Sequence, residues 1–278
     1  MKLTNYIHLI KYPFVIPIAP DKKIERFVNI FAIIAEKIHL IDTGVADSFS
    51  IIEKYLMEQG RNIKEVDSIL LTHSHPDHIG SARQIQKVSG CTVFAHSAEK
   101  KWIENTELQF SQRPVPGFFK LVGGSVQVDY EITNNKIIEL EQGLNLKCIY
   151  TPGHSAGSVC FYSEKDKILF SGDAILLPGE IPIFENLDDY TNSLEKIRNL
   201  KPKLILSAWD EPRQVNEIDL LLKKSENYIL NIQNVSKMIA EDFEDTNSME
   251  FYKAIIQKLG LPEILVNQLL LKSFQACL

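Results

Sequence analysis

Residues 73–78 read His-Ser-His-Pro-Asp-His, directly after the run Ser68-Ile69-Leu70-Leu71. Four side chains able to bind a metal ion therefore sit within six positions at a strand end. In extended backbone residues i and i+2 share a face, so His73 and His75 can grip one cation together. Pro76 turns the chain, which lets Asp77 and His78 swing toward a second cation beside the first. Zinc and similar ions take imidazole and carboxylate ligands at about 2.0–2.2 Å, and a cluster of this density has little use in a core. The segment is read as a metal site.

Two more segments complete it. Thr151-Pro152-Gly153-His154-Ser155-Ala156-Gly157-Ser158 follows the strand-like run Leu146–Tyr150. Pro152 and Gly153 make a turn that leaves His154 at the strand tip. Leu169-Phe170-Ser171-Gly172-Asp173 repeats the plan with an apolar strand, a glycine and a carboxylate, and a carboxylate can bridge two cations.

These segments resemble a known family. Thr72 to Gly80 is similar to the T-H-x-H-x-D-H-x-x-G signature of the metallo-β-lactamase superfamily. Leu40-Ile41-Asp42-Thr43-Gly44 resembles its early strand-turn motif, Thr151–Ser158 its T-P-G-H-[ST]-x-G-S motif and Leu169–Asp173 its F-x-G-D motif. Order and spacing agree over about residues 25–210. The resemblance implies that His73, His75 and His154 hold one metal, that Asp77 and His78 hold a second, and that Asp173 bridges them. It also implies a role for Asp42 behind the ligands, fixing the tautomer of a ligand histidine.

One expected residue is missing. Relatives with two metals carry a last histidine after a late strand, but here Lys203-Leu204-Ile205-Leu206 leads into Ser207-Ala208-Trp209-Asp210-Glu211-Pro212. Trp209 stands where histidine is expected, and no histidine follows His154. Indole is no practical metal ligand, so Trp209 is expected as a pocket wall and Asp210 as the replacement ligand, provided that the strand bends there. Three carboxylates and a hydroxide would balance two dications. Zinc is the expected metal, and an oxygen-rich cluster would also accept iron or manganese.

Composition narrows the partners. The 278 residues carry 36 acidic and 30 basic side chains, a net charge of −6, and Lys/Arg occur only in short pairs such as Lys22-Lys23. A nuclease needs a basic footprint for phosphates, so nucleic acid is not an expected partner. Lys2, Asn5, His8, Lys11, Pro13, Pro17 and Pro20 interrupt any apolar leader, and no run is long enough to span a bilayer, so neither export nor a membrane is expected. Cys91, Cys148, Cys160 and Cys277 lack metal-ligand spacing. They are expected as buried free thiols, which suits a reducing cytoplasm.

Along the chain, Val28–Ala35 and Lys37–Ile41 read as paired strands, Ser48–Glu58 as a helix with Phe49, Ile52, Tyr55 and Leu56 on one face, and Ile69–Thr72 as the strand delivering His73. Ile79–Val88 reads as a helix and Cys91–Ala95 as a strand. Residues 97–135 look like an insertion, helical over Glu99–Glu104 and irregular over Arg113–Phe119. Ile175–Phe184 is an apolar loop suited to a pocket wall. The predicted fold is α/β (α+β), the αββα sandwich of two mixed β-sheets flanked by helices that the family implies. Residues 1–212 form the hydrolase domain and residues 213–278 a helical C-terminal extension, helical at Ile218, Leu221, Leu222, Ser225, Tyr228, Ile229 and Ile232, over Met249–Leu259, and from Glu263 to about Phe274. That extension either completes the pocket or makes a homodimer.

The resemblance implies a metal-dependent hydrolase in which hydroxide activated by two metals attacks a small carboxylic ester, thioester or lactone, with Asp77 as proton carrier. Two alternatives are a phosphodiesterase or nuclease of the same superfamily, and a metal-binding protein with weak or no catalysis. Fold does not choose among them.

Overall fold

Along Lys22–Ile34, Ile30 and Ala32 pack with one apolar cluster while Phe31 and Ile33 pack with another. This period of two is what a strand buried on both faces requires. The computed structural model describes residues 1–19, 22–262 and 268–278. Its first sheet holds β1 (Ile7–Ala19), β2 (Lys22–Ile34), β3 (Ile38–Ile41), β4 (Val66–Leu70), β5 (Thr92–His96) and β6 (Tyr130–Ile132), in that order. The second holds β7 (Ile137–Glu141), β8 (Leu144–Tyr150), β9 (Val159–Ser163), β10 (Ile168–Gly172), β11 (Leu204–Ser207) and β12 (Arg213–Gln214), again in sequence order. Both sheets are mixed: β3, β4, β5 and β6 run parallel, as do β10 and β11, and the other pairs are antiparallel.

Between the sheets lies a core of Phe31, Ile33, Leu70, Phe161, Phe170 and Leu206, among others. Full burial of each such side chain contributes roughly 1.5–3 kcal/mol. On the outer face of the first sheet lie α1 (Ser48–Glu58), α2 (Pro76–Ile79) and α3 (Ala82–Ser89), followed in the chain by α4 (Ser97–Ile103), α5 (Thr106–Gln112) and α6 (Phe118–Leu121). On the outer face of the second lie α7 (Leu187–Leu200), α8 (Val215–Ala240), α9 (Met249–Lys258) and α10 (Gln268–Gln275). The αββα layering and the helical C-terminal region agree with the sequence reading.

Three features depart from it. The N-terminal segment, read only as proline-interrupted, is a 13-residue strand. Pro13 and Pro17 are tolerated because β1 is an edge strand and needs hydrogen bonds on one side alone. The expected helix Ile79–Val88 is broken between α2 and α3. Gly80 N–H donates to the Gly44 carbonyl and its own carbonyl accepts from Gly123 N–H, each at 2.8 Å, so neither group is available to a continuous helix. Phe118 and Phe119, placed in an irregular segment, open α6. The first residues of the third C-terminal stretch, 263–267, lie outside the described residues. Among the described residues no helix is long and apolar enough to cross a membrane.

Candidate metal centre

The site sits where strand ends of the two sheets converge. Asp42 follows β3, His73 follows β4, His154 follows β8, and Asp173 and Trp209 follow β10 and β11. Val159 N–H donates to the Thr72 carbonyl at 2.9 Å and joins the sheets at this edge. Gly172 has φ +50°, and a Cβ there would lie 2.7 Å from Thr72 Oγ1. Glycine is what lets the Asp173 loop pass that close.

His73, His75, His154 and Asp173 each offer a ligand atom, all within 4.8 Å of one another, and Asp77, His78 and Asp173 form a second group by the same measure. Asp173 belongs to both. His78 Nε2 lies 3.3 Å from Asp173 Oδ1 and 3.6 Å from Asp77 Oδ2, while His154 Nε2 lies 3.4 Å from Asp173 Oδ2.

Neighbouring groups fix the histidine tautomers. Asp42 Oδ2 accepts from His78 Nδ1 and from Thr72 Oγ1, both at 2.8 Å. The Thr72 hydroxyl proton is thereby used, so its oxygen accepts from His73 Nδ1 at 3.0 Å. His154 Nδ1 donates to the Ile183 carbonyl at 2.9 Å. In all three rings Nδ1 is engaged by these neighbours, which leaves Nε2 aimed at the cluster as the atom that would offer a lone pair to a cation. Asp42 performs this with φ +58°, an unusual conformation for a non-glycine residue and of the kind held at functional sites.

The donors fit a dication. His73 Nε2, His78 Nε2 and Asp173 Oδ1 are buried without a hydrogen-bond partner among the described residues, and such orphaned groups are costly in a folded protein. His154 Nε2, already without a proton, faces His75 Nδ1 at 2.8 Å. Imidazole plus carboxylate is the ligand chemistry of zinc and its neighbours.

Charge sorts the cluster in two. Burial drives His73 and His75 well below the usual histidine range, aided by Arg113 and the neighbouring rings. Burial also brings His154 down to about 4, against the pull of Asp173. His78 goes the other way: burial opposes its charge, but Asp173, Asp42 and Asp77 together hold it well above the usual value. Burial raises the Asp77 carboxyl despite His78. For Asp173 the surrounding imidazoles outweigh burial and hold it far below the carboxylate range.

Asp210, expected as the replacement ligand, is not in either group. Its two oxygens accept from Arg213 Nε and Nη2, each at 2.7 Å, three residues along the chain. Trp209 takes the side facing the site instead, and its indole N–H donates to Asp173 Oδ2 at 3.0 Å. β11 ends at Ser207 and the chain bends over residues 208–210, which turns Trp209 toward the site, while Arg213 holds Asp210 away from it. The two groups therefore contain two carboxylates, Asp77 and Asp173, where the sequence led to an expectation of three. Of the other histidines, His39 bonds Ser68 Oγ at 2.8 Å, His8 bonds the Tyr55 hydroxyl at 2.9 Å, and His96 stacks on Tyr150.

The cluster opens into a cavity of about 110 Å³ where His75, Asp77, His154 and Asp173 meet apolar walls from Phe14, Leu121, Ile175, Leu176 and Trp209. Three residues around it escaped the sequence reading. Glu99, 3% exposed, accepts from Ser74 N–H at 3.1 Å and from the Ser74 hydroxyl with one oxygen, and from Ser155 Oγ and Gly157 N–H, both at 2.7 Å, with the other. A Cβ on Gly157 would lie 2.6 Å from Glu99 Cγ. Gln109 donates to the Ser74 carbonyl at 2.6 Å. Arg113 lines the cavity and is 5% exposed. No local pattern marks these residues, because each acts on a segment far away in sequence.

Two mixed sheets between helical layers, with a histidine–aspartate cluster at one edge, define a metal-site sandwich of the hydrolase type. The model of the metallo-β-lactamase superfamily matches residues 24–209, and the chain belongs to that family. A Drosophila melanogaster protein named beta-lactamase-like protein 2 homolog is 29% identical over 228 residues, 79% of this chain and 70% of that protein. A hydroxyacylglutathione hydrolase of Pelagibacter ubique is 27% identical over 192 residues, 69% of each. In structure, a metallo-β-lactamase family protein of Thermus thermophilus superposes with a TM-score of 0.75 at 20% identity, covering 98% of this chain and 93% of the other, which is likeness of fold.

Proposed function

We propose that this chain hydrolyses a small carboxylic ester, with thioesters and lactones as the leading substrates. The observation that carries the reading is that His75, Asp77, His154 and Asp173 open onto one apolar-walled cavity of about 110 Å³. Drug-sized ligands occupy roughly 300–1,000 Å³, so the cavity suits a short acyl group with its leaving group outside. His73, His75, His154 and Asp173 would hold one dication, and Asp77, His78 and Asp173 another. Metal ions in such a set acidify a water and polarise a carbonyl oxygen.

The chain's own residues do the rest. Asp42, Thr72 and the Ile183 carbonyl hold the ligand rings in one tautomer. The loop Ile175–Ile183 and Phe14 exclude bulk water from the acyl side. Asp77 lines the cavity and is placed to carry a proton to the leaving atom. The Pelagibacter ubique relative, named for action on a thioester, supports the thioester choice.

A second reading, a metal-binding protein with weak or no catalysis, is favoured by Trp209, whose N–H occupies an oxygen of Asp173 in place of a further metal ligand. One assay separates the two. Zinc-loaded protein is expected to turn over a generic thioester and a lactone, with Asp77→Asn slower by about 10²-fold, the common scale of general acid–base catalysis. Equal rates in wild type and variant remove Asp77 from the mechanism. An inert wild type carrying metal supports the second reading.

A further inference from the structure

Arg113 is the one cavity-lining cation among the described residues with no ion-pair or hydrogen-bond partner for its guanidinium, although it is 5% exposed. Arg26, the other arginine at the cavity, is partly satisfied: its Nε has no hydrogen-bond partner among the described residues, but its Nη2 is engaged. Its Nη2 donates to Glu180 Oε2 at 2.9 Å and its guanidinium lies 4.6 Å over the Trp209 ring. Burying an arginine without a partner is costly unless something else meets it.

The nearby carboxylates do not fill that role. Glu185, Asp77, Glu99 and Asp173 all act on Arg113 through their charge, yet none comes within 4.0 Å of it. Glu99 is used by Ser74, Ser155 and Gly157. Asp77 and Asp173 belong to the ligand groups. Glu185 faces other surfaces, shared with Lys272 and Asn186, and does not line this cavity.

The backbone holds the side chain in place. Arg113 caps α5, its N–H donating to the Gln109 carbonyl at 2.8 Å. Pro114 and Pro116 stiffen the next residues. Gln109, one turn earlier, is bonded to Ser74 between two ligand histidines. The backbone that carries the guanidinium is thus held at a fixed position relative to the cluster. Burial lowers its pKa only to about 10, so it stays cationic at neutral pH.

We propose that Arg113 binds a compact anionic group, a carboxylate or a phosphoryl group, on the substrate of this cavity. Five N–H donors in a planar fork match either anion in bidentate fashion. Resting on the hydrolase reading for its identity as a substrate, the ligand is then an ester or thioester whose acyl part carries a negative charge a few bonds from the scissile carbonyl. Apolar walls hold the methylenes between the two ends. The cluster receives the carbonyl and Arg113 the distant anion.

The test uses zinc-loaded full-length protein and two kinds of probe. Calorimetric titration with succinate and with 3-phosphonopropionate is expected to show binding that falls by about 10- to 10²-fold in Arg113→Met, the range of a hydrogen bond to a charged group. Whichever acid shows the larger Arg113-dependent loss identifies the anion. Succinyl and butyryl thioesters of N-acetylcysteamine supply the kinetic arm. Wild type should favour the succinyl ester, and Arg113→Met should raise the KM of the succinyl ester by more than that of the butyryl ester. Arg113→Lys keeps the charge and loses the fork, so it guards against a folding defect. It is expected to bind the preferred acid about 10-fold more weakly with metal content intact. Wild-type acid affinity in either variant overturns the proposal, as does an equal loss for both thioesters. Arg113-dependent acid binding without turnover of either thioester upholds the anion site and overturns the hydrolase reading alone.

Discussion

At Trp209 and Asp210 the bend after β11 decides which side chain faces the histidine–aspartate cluster. Indole faces the cluster and bonds Asp173 at 3.0 Å, while Asp210 is held by Arg213 through two contacts of 2.7 Å. Asp210→Ala is therefore expected to leave metal content and affinity at wild-type levels, and to cost no more than about 1 kcal/mol, as for other accessible ion pairs. Elemental analysis and a metal titration of the variant check this. Selective loss of one metal would mean that Asp210 leaves Arg213 to act as a ligand. The clustering of His73, His75, Asp77, His78, His154 and Asp173 was legible in the sequence because these donor types recur at strand ends with the spacing that brings them together. The choice between positions 209 and 210 was not legible, since both lie in a bend past the end of β11, where no strand or helix period fixes which side chain faces the site.

Helix α4 acts on the site as an element. It carries Glu99 between the Ser74 segment and the Ser155–Gly157 turn, and so ties together the two loops that deliver His75 and His154. Glu99→Gln replaces one acceptor oxygen by an NH₂ facing donors and leaves at least one buried N–H or O–H unpaired, at a cost of about 1–3 kcal/mol. Metal affinity is expected to fall by about 10- to 100-fold, as for other groups that orient metal ligands, with circular dichroism unchanged. Unchanged zinc affinity by competition with a chromogenic chelator would show that the loops hold their places without it. The strand and helix pattern around α4 was readable from periodicity, as Ser48–Glu58 and α8 show with Ile52, Leu56, Ile218 and Leu222 buried as expected. The bond between α4 and a loop 56 residues away was not, because nothing local in Ser97–Ile103 records it.

On the scale of the whole molecule, the second sheet and α7–α10 share one core, and that core holds the cavity wall from behind. The Tyr228 hydroxyl donates to the Glu180 carbonyl at 3.1 Å and Phe184 N–H to Ser273 Oγ at 3.0 Å. The first sheet carries a pH-sensitive element away from the metal site. His39 is fully buried between Ser68 and Glu141, and burial lowers its pKa in spite of Glu141. Its folded pKa lies below the unfolded value of about 6.5. Below that pH the unfolded chain binds the extra proton, so stability contributed by neutral His39 is present above about 6.5 and is lost as pH falls through that value. The melting temperature should drop more steeply between about pH 7 and 5 in wild type than in His39→Gln, measured by scanning calorimetry. Parallel curves would remove His39 from the acid response. The four cysteines are free and buried, as the sequence reading expected.

The sequence by itself determined the family, the layered fold and which histidine and aspartate side chains gather at the strand ends, because each rests on a local pattern: a period of two or about 3.6, or a strand followed by a turn and a donor residue. Tertiary structure alone decided how Asp210 is spent, that Glu99 links two ligand loops, and that Arg113 reaches the cavity without a partner. Those outcomes depend on which donors and acceptors meet after the sheets have packed. A contact between residues far apart in the chain leaves no periodic trace in it, whereas its energy is felt wherever burial removes the competing water.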